Sequence, residues 1–237
     1  MWLHEQWLLM VAIACLYLYD SALLLFHNEL VLEARASGYV VSGGSAIELG
    51  GRHVFLPNPC CPHRALARLS WPHGGSAEWR PERWRRARLA VSVIAPWTWW
   101  LLGLFFVALP LALCFAADIV LLGWLLLTYL SIIAMLAQVW RYRQALGLTP
   151  RAVGALAADA LLCAPFALNI VRKISLRQAA AAPLHAFAAS MLSSAERVAL
   201  AGLLRERIHI SLDHLEPASE SSATLLAYLD QYQDDIP

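Results

Sequence analysis

The sequence predicts an all-α integral membrane protein with three transmembrane helices, or four, plus a small cytoplasmic α+β layer of an antiparallel β-meander and C-terminal helices. Two observations predict this class. Hydrophobic residues make up 59% of the 237 residues and charged residues only 15%, whereas soluble domains carry about 25% charged residues. Three runs with at most one charge each are also long enough to cross a hydrocarbon core of roughly 30 Å.

The first predicted transmembrane helix occupies residues 6–26 within segment 1–28. No basic residues precede its apolar run, so we expect a retained anchor and not a cleaved signal peptide. Asp20 lies inside this span, where a carboxylate costs several kcal/mol unless it is protonated or paired. We expect a structural partner for Asp20, such as Arg35 or the membrane interface, and a proton or ion relay is the alternative.

Segment 29–75 is predicted to form the cytoplasmic β-meander and a Pro/Cys/His loop. Gly43-Gly44 and Gly50-Gly51 separate short β-prone runs, and two-residue glycine turns are a strong hairpin signal. In the last of these runs, His53 and Phe55 are expected to point to the face opposite Arg52, because successive side chains alternate along a strand. A sheet this small needs a cover for its apolar face, and the C-terminal helices are the candidates.

The loop that follows, P-N-P-C-C-P-H at residues 57–63, raises the question of a metal site. Thiolates and imidazoles are ligands for zinc, copper and iron, so the residues of a metal or redox hypothesis are His53, Cys60, Cys61 and His63. Neighbouring cysteines in an extended chain point to opposite sides, however, and the three prolines stiffen the loop without a metal. We therefore expect a structural loop with no cofactor, and the metal site is the alternative.

Segment 76–96 is predicted to be a basic amphipathic helix in the membrane interface. Trp84, Ala87, Val91 and Ile94 fall on its apolar face, which we expect to contact lipid. Nucleic-acid binding is the alternative, and the nearby transmembrane span makes it the weaker one. The residues predicted to bind anionic lipid headgroups are Arg80, Arg83, Arg85, Arg86 and Arg88.

Segment 97–140 is predicted to be a transmembrane helical hairpin with Pro110 inside its first helix. Trp97, Trp99 and Trp100 begin that helix as an aromatic belt at the membrane interface. Arginines are dense in the long loop before the hairpin and recur after it. By the positive-inside rule, we expect the N-terminus outside and the C-terminus cytoplasmic. Lys173 is the only lysine among the 18 basic residues, and this bias towards arginine suggests a bacterial gene, so we expect an inner-membrane protein.

Segment 141–177 contains an apolar run, residues 152–171, with basic residues at both ends. That arrangement favours an interfacial or re-entrant helix, and a fourth transmembrane span is the alternative. Asp159, Asn169 and Lys173 form a weak polar stripe at helical spacing.

Segment 178–237 is predicted to be a cytoplasmic helical region with an acidic tail. Ser193-x-x-Glu196 is a capping-box pattern ahead of an amphipathic helix. A second short helix is expected near residues 222–232.

No Gly-x-Ser-x-Gly, P-loop or Gly-x-Gly-x-x-Gly motif is present in the sequence. We therefore expect no catalytic residues, and a non-catalytic accessory, scaffold or assembly subunit of a membrane complex. The expected partners are an anionic lipid bilayer and either a membrane protein or further copies of the chain, with no nucleic acid. The two alternatives are a membrane-bound metal or redox protein and a small oligomeric transporter that uses Asp20.

Overall fold

The computed structural model describes residues 2–70, 80–115, 117–179, 184–213 and the single residue 227. The chain forms two compact units. We call the first the helical unit, Met1–Ala22, Pro57–Ala65 and Arg83–Gln178. We call the second the sheet unit, Leu23–Leu56, Leu66–Glu82 and Ala179–Pro237.

The helical unit begins with α1, Trp2–Ser21. Helix α2, Pro81–Gly103, continues through a π-helical turn, Leu104–Ala108, into α3, Leu109–Phe115. Helix α4, Asp118–Arg141, follows after a short connection. Helices α5, Pro150–Leu162, and α6, Ile170–Ala179, are separated by a 3₁₀ segment, Ala164–Asn169.

Two helices in the described part of the chain are long and apolar enough to cross a membrane, Pro81–Phe115 and Asp118–Arg141. The apolar helix Gln6–Ser21 is shorter. The observed helix α1 ends at Ser21, so the expected first span, residues 6–26, extends beyond the end of the helix. Leu23–Leu25 instead form a strand that pairs with His53–Phe55, because an apolar run of leucines fits a strand as well as a helix.

The expected division between an interfacial helix and a second span at residue 96 is not a helix boundary, because α2 continues through Pro96. Its predicted lipid-facing residues are also buried inside the protein. Trp84 is only 3% exposed, and Ala87, Val91 and Ile94 are buried as well. The arginines of this helix lie on its outer side, and Arg83, Arg85 and Arg86 are exposed.

The long helices form an antiparallel hairpin that tryptophan side chains bind together. Trp100 Nε1 on α2 donates to Ser131 Oγ on α4 at 3.0 Å. Trp124 Nε1 on α4 donates to the Leu104 carbonyl at 2.8 Å, within the π-helical turn that precedes Pro110. The same carbonyl also accepts from the Leu109 amide, so the Trp124 bond joins the two helices in addition to the helical hydrogen bond at this position.

Residues 152–171 do not form one continuous helix. Helix α5 starts at a cap in which the Thr149 side chain accepts from the Ala152 amide at 3.2 Å, and it ends at Leu162. Pro165 lies in the 3₁₀ segment that follows. The break shortens each piece below the roughly 20 residues that a spanning helix needs.

The sheet unit contains two three-stranded antiparallel sheets. The first sheet has the order β1-β5-β4 and the second the order β3-β2-β6. The strands are β1 Leu23–Leu25, β2 Glu29–Arg35, β3 Gly38–Ser42, β4 Glu48–Leu49, β5 Arg52–Phe55 and β6 Leu66–Ser70.

One of the two expected glycine hairpins is present. Gly50 and Gly51 have φ angles of 58° and 72° and connect the paired strands β4 and β5, a conformation that glycine adopts without strain. Gly43-Gly44 does not form a hairpin, because β3 pairs with β2 whereas β4 pairs with β5. The chain passes there from one sheet to the other, so the expected single meander is two sheets.

Helices α7, Leu184–Met191, and α8, Ser194–Asp213, contact the second sheet. The rings of Phe187 on α7 and Tyr39 on β3 meet edge to face with centroids 5.6 Å apart. On α8, Leu200, Leu204 and Ile208 are buried. The expected helical cover of the sheet is thus present, and the helix expected near residues 222–232 lies outside the described residues, apart from residue 227.

Candidate functional site

A buried polar network lies in the helical unit, between the end of α1 and the start of α6. It consists of Tyr17, Asp20, Asn169, Arg172 and Lys173. Asp20 is paired with Lys173 Nζ at 2.7 Å, and Asn169 Nδ2 donates to the second Asp20 oxygen at 3.1 Å. Lys173, and not the expected Arg35, is therefore the partner of this carboxylate.

Lys173 also bonds to Asp159 on α5, with an Nζ to carboxylate oxygen distance of 3.3 Å. Its ammonium lies 4.9 Å from the centroid of the Phe166 ring. The polar stripe of Asp159, Asn169 and Lys173 that the sequence indicates thus converges on Asp20. The charged side chains Asp20, Asp159 and Lys173 are thus paired with one another. This pairing offsets the cost of removing them from water.

Arg172 extends this network to the Pro/Cys/His loop. Its side chain is 2% exposed. One guanidinium nitrogen donates to the carbonyls of Asn58 at 2.7 Å and Cys61 at 3.1 Å, and the other donates to Asn169 Oδ1 at 3.0 Å. The planar guanidinium suits this task because it presents several donors in a fixed geometry.

Tyr17 provides a second attachment of the same loop to α1. Its hydroxyl donates to the Pro59 carbonyl at 2.6 Å, and its own backbone carbonyl accepts from Asn169 Nδ2 at 3.1 Å. The loop is therefore held through its main chain at three carbonyl groups. This arrangement supports the expectation of a structural loop.

The side chains of the loop point into separate surroundings. Cys60 borders an apolar cavity of about 370 Å³ that Tyr17, Leu18 and Phe106 also line. The His63 ring stacks on Trp99 with centroids 5.2 Å apart and an interplanar angle of 28°. Trp99 and Trp100 of the predicted aromatic belt are each 50% exposed, and Trp97 is partly buried.

Within the described residues, one group of three potential metal-ligating side chains has donor atoms that all lie within 4.8 Å of one another. It consists of His27, Glu48 and His53, which we call the His/Glu cluster. His53 Nε2 lies 3.2 Å from His27 Nδ1 and 3.5 Å from Glu48 Oε1. His53 therefore lies with His27 and Glu48, whereas the metal hypothesis from the sequence places it with Cys60, Cys61 and His63.

The first sheet explains why these three side chains meet. His53 on β5 lies directly opposite Glu48 on β4 and opposite Leu25 on β1, and residues opposite each other project to the same face. His27 lies in the turn that follows β1, and its ring meets that of His53 edge to face with centroids 5.0 Å apart. Strand register therefore brings Glu48 and His53 together, and the turn after β1 adds His27.

Burial and neighbouring charges determine the protonation of His53. Burial lowers its pKa below the ordinary value, the positive charge of Arg207 lowers it further, and the carboxylate of Glu48 opposes both effects. Gly44 lies against this residue, since a Cβ at Gly44 would come within 3.0 Å of His53 Cβ. The lowered pKa favours the neutral imidazole, and Gly44 restricts its position.

Sequence reasoning missed the roles of His27, Glu48 and Arg172. For Glu48 a signal exists, because a two-residue turn at Gly50-Gly51 places Leu49 opposite Arg52 and so Glu48 opposite His53. His27 and Arg172 depend on contacts between distant parts of the chain, and no local pattern indicates them.

No family model matches this chain, and neither does any curated protein or solved structure.

Proposed function

We propose that this chain is a non-catalytic accessory, scaffold or assembly subunit of a complex in the bacterial inner membrane. In this proposal α2–α3 and α4 span the membrane, α1 inserts beside them, and the sheet unit is cytoplasmic. The partners are anionic lipid and either another membrane protein or further copies of the chain.

The surfaces of the two long helices support membrane insertion. Large apolar side chains project outward along both, and each of the following is more than half exposed: Val107, Leu111, Phe115, Ile119, Leu122 and Leu126. Continuous apolar surface of this kind is rare on soluble proteins. Lipid tails are its natural surroundings.

The arrangement of charges supports the proposed orientation. The exposed arginines near Pro81 and the exposed Arg141 lie at the same end of the antiparallel hairpin. At the other end, Gln6 Nε2 of α1 donates to the Leu113 carbonyl at 3.2 Å, so the first turns of α1, which contain no arginine, lie beside the end of α3. By the positive-inside rule, the arginine-rich end faces the cytoplasm.

The observation that carries the scaffold proposal is the pairing of Asp20. A transporter or relay would use a carboxylate that faces water or a substrate path. Asp20 is instead bonded to Lys173 and Asn169, and its side chain is only 10% exposed. This favours a brace between α1 and the start of α6.

The experiment that tests the proposal is extraction of the tagged, full-length protein from its native membranes in mild detergent, followed by measurement of the mass and stoichiometry of what is isolated. We expect a defined assembly at a near-integer ratio, and co-expression of two differently tagged copies distinguishes self-assembly from a different partner. A protein isolated as a single chain without a partner would overturn the proposal.

A further inference from the structure

We propose that the His/Glu cluster, His27, Glu48 and His53, binds one divalent transition-metal ion of the zinc type. This proposal does not depend on the proposed scaffold function. Its three residues belong to the sheet unit, whereas the pairing of Asp20, which carries the scaffold proposal, lies in the helical unit.

The spacing of the donor atoms fits a single ion. Zinc binds imidazole nitrogen and carboxylate oxygen at about 2.0–2.2 Å in tetrahedral sites, which places two donors on one ion roughly 3.3 Å apart. The distances from His53 Nε2 to His27 Nδ1 and to Glu48 Oε1 are 3.2 Å and 3.5 Å. Small side-chain movements are therefore enough to coordinate an ion.

The bonding of His53 Nε2 also favours a cation at this point. Nε2 of a neutral ring either donates one hydrogen or accepts one. If it accepts from His27, the nearby Glu48 carboxylate repels its lone pair, and if it donates, its single hydrogen can serve only one of its two neighbours. A bound cation attracts all three donors at once.

The cluster is held in a form suited to binding. His53 is 8% exposed, Gly44 restricts its position, and the short hairpin of Gly50 and Gly51 fixes Glu48 opposite it. Two imidazoles and one carboxylate are a ligand set that zinc accepts, with a fourth position for water. The charge of Arg207 opposes a cation, and the carboxylate of Glu48 offsets it.

The test uses the full-length protein, purified in detergent and treated with a chelator, then titrated with Zn²⁺ and, separately, with Co²⁺. We expect one Zn²⁺ per chain, and visible Co²⁺ absorption bands of nitrogen and oxygen ligation that Zn²⁺ removes. His27→Ala, His53→Ala and Glu48→Gln should each weaken binding by at least roughly tenfold.

The matched controls are His209→Ala, which removes an exposed histidine of α8, and the double variant Cys60→Ser with Cys61→Ser. Both should bind as the unaltered protein does. Glu48→Gln keeps the test valid if His53→Ala does not fold, because Glu48 is exposed. The proposal is overturned if the unaltered protein binds no Zn²⁺, if His27→Ala and Glu48→Gln bind it normally, or if a control variant loses it.

Discussion

At the scale of single residues, Arg172 joins the start of α6 to the Pro/Cys/His loop. It is buried, and its guanidinium donates to two loop carbonyls, to Asn169 Oδ1 and, at 3.5 Å, to the Tyr17 hydroxyl. A buried carbonyl that loses its donor costs about 1–3 kcal/mol. Two of the three carbonyls that hold the Pro/Cys/His loop therefore depend on this guanidinium, and Tyr17 holds the third.

We expect Arg172→Lys to lower the free energy of unfolding by about 2–4 kcal/mol, because an ammonium cannot reach all three acceptors in one geometry. Heating the protein in detergent and measuring the fraction that stays monodisperse tests this. Arg151→Lys, at an exposed arginine on α5, is the matched control. An equal loss in both variants would show that Arg172 has no special role.

Asp20 and Lys173 are the second residue-scale test. Breaking a mostly buried ion pair from one side leaves an uncompensated charge, so we expect Asp20→Asn and Lys173→Met each to lower stability by about 2 kcal/mol. The double variant should lose at least about 1 kcal/mol less than the sum. Lys173 also contacts Asp159, which reduces the coupling without removing it.

The same thermal assay measures this coupling. Asp20→Asn combined with Arg151→Met gives the control cycle, and its two effects should add. If the effects of Asp20→Asn and Lys173→Met also add, the proposed brace is contradicted. That result would favour a role for the Asp20 carboxylate other than pairing with Lys173.

At the scale of elements, helix α8 is attached to the sheet at its first turn. The Ser193 amide and hydroxyl each donate to Glu196 Oε2 at 2.7 Å, which confirms the capping box. The other Glu196 oxygen accepts from the Tyr39 amide on β3. Burial raises the pKa of Glu196, and these hydrogen bonds outweigh it, so that the pKa lies below its ordinary value.

We expect Glu196→Gln to destabilise the protein by about 1 kcal/mol at neutral pH, as loss of a helix cap does. Because the folded state lowers the pKa of Glu196, its contribution is complete above the ordinary carboxyl pKa and is lost as the pH falls through the lowered one. The difference between variant and parent should therefore shrink in acid.

Thermal unfolding followed by circular dichroism between neutral and acidic pH measures that difference. Glu206→Gln, on the exposed side of the same helix, should leave the pH dependence unchanged. A difference between Glu196→Gln and its parent that stays constant with pH would exclude the proposed charge effect.

At the scale of the whole molecule, the proposed orientation in the membrane rests on where the arginines lie. We expect a C-terminal fluorescent protein fusion to be bright, and an N-terminal periplasmic reporter enzyme to be active. Replacing Arg80, Arg83, Arg85, Arg86 and Arg88 by Gln should lower the fraction in this orientation. Equal fluorescence of the C-terminal fusion in the unaltered protein and in the variant without these five arginines would show that features other than these arginines determine the orientation.

Local patterns predicted the local structure well. The capping box at Ser193, the Gly50-Gly51 hairpin and the alternation of His53 and Phe55 each depend on residues close in sequence, and the structure has all three. The helical hairpin also follows from length and hydropathy alone. Short-range rules suffice for such features.

The remaining errors come from contacts between distant parts of the chain. Asn169 and Asp20 are separated by 149 positions, so the polar stripe and the lone carboxylate are both visible in the sequence but their pairing is not. Leu23–Leu25 read equally well as helix or strand, and only pairing with β5 decides. Gly44 likewise looks like a hairpin turn until the partner of each strand is known.

The way in which the Pro/Cys/His loop is held has a consequence for how this protein can change. Arg172 and Tyr17 bind carbonyl groups of Asn58, Pro59 and Cys61, and every amino acid supplies a carbonyl. The attachment is therefore indifferent to the side chains at residues 60 and 61. Substitutions at these two positions can therefore change the chemistry of the loop while its location stays the same, so residues 60 and 61 are a ready place for a new activity or an engineered label.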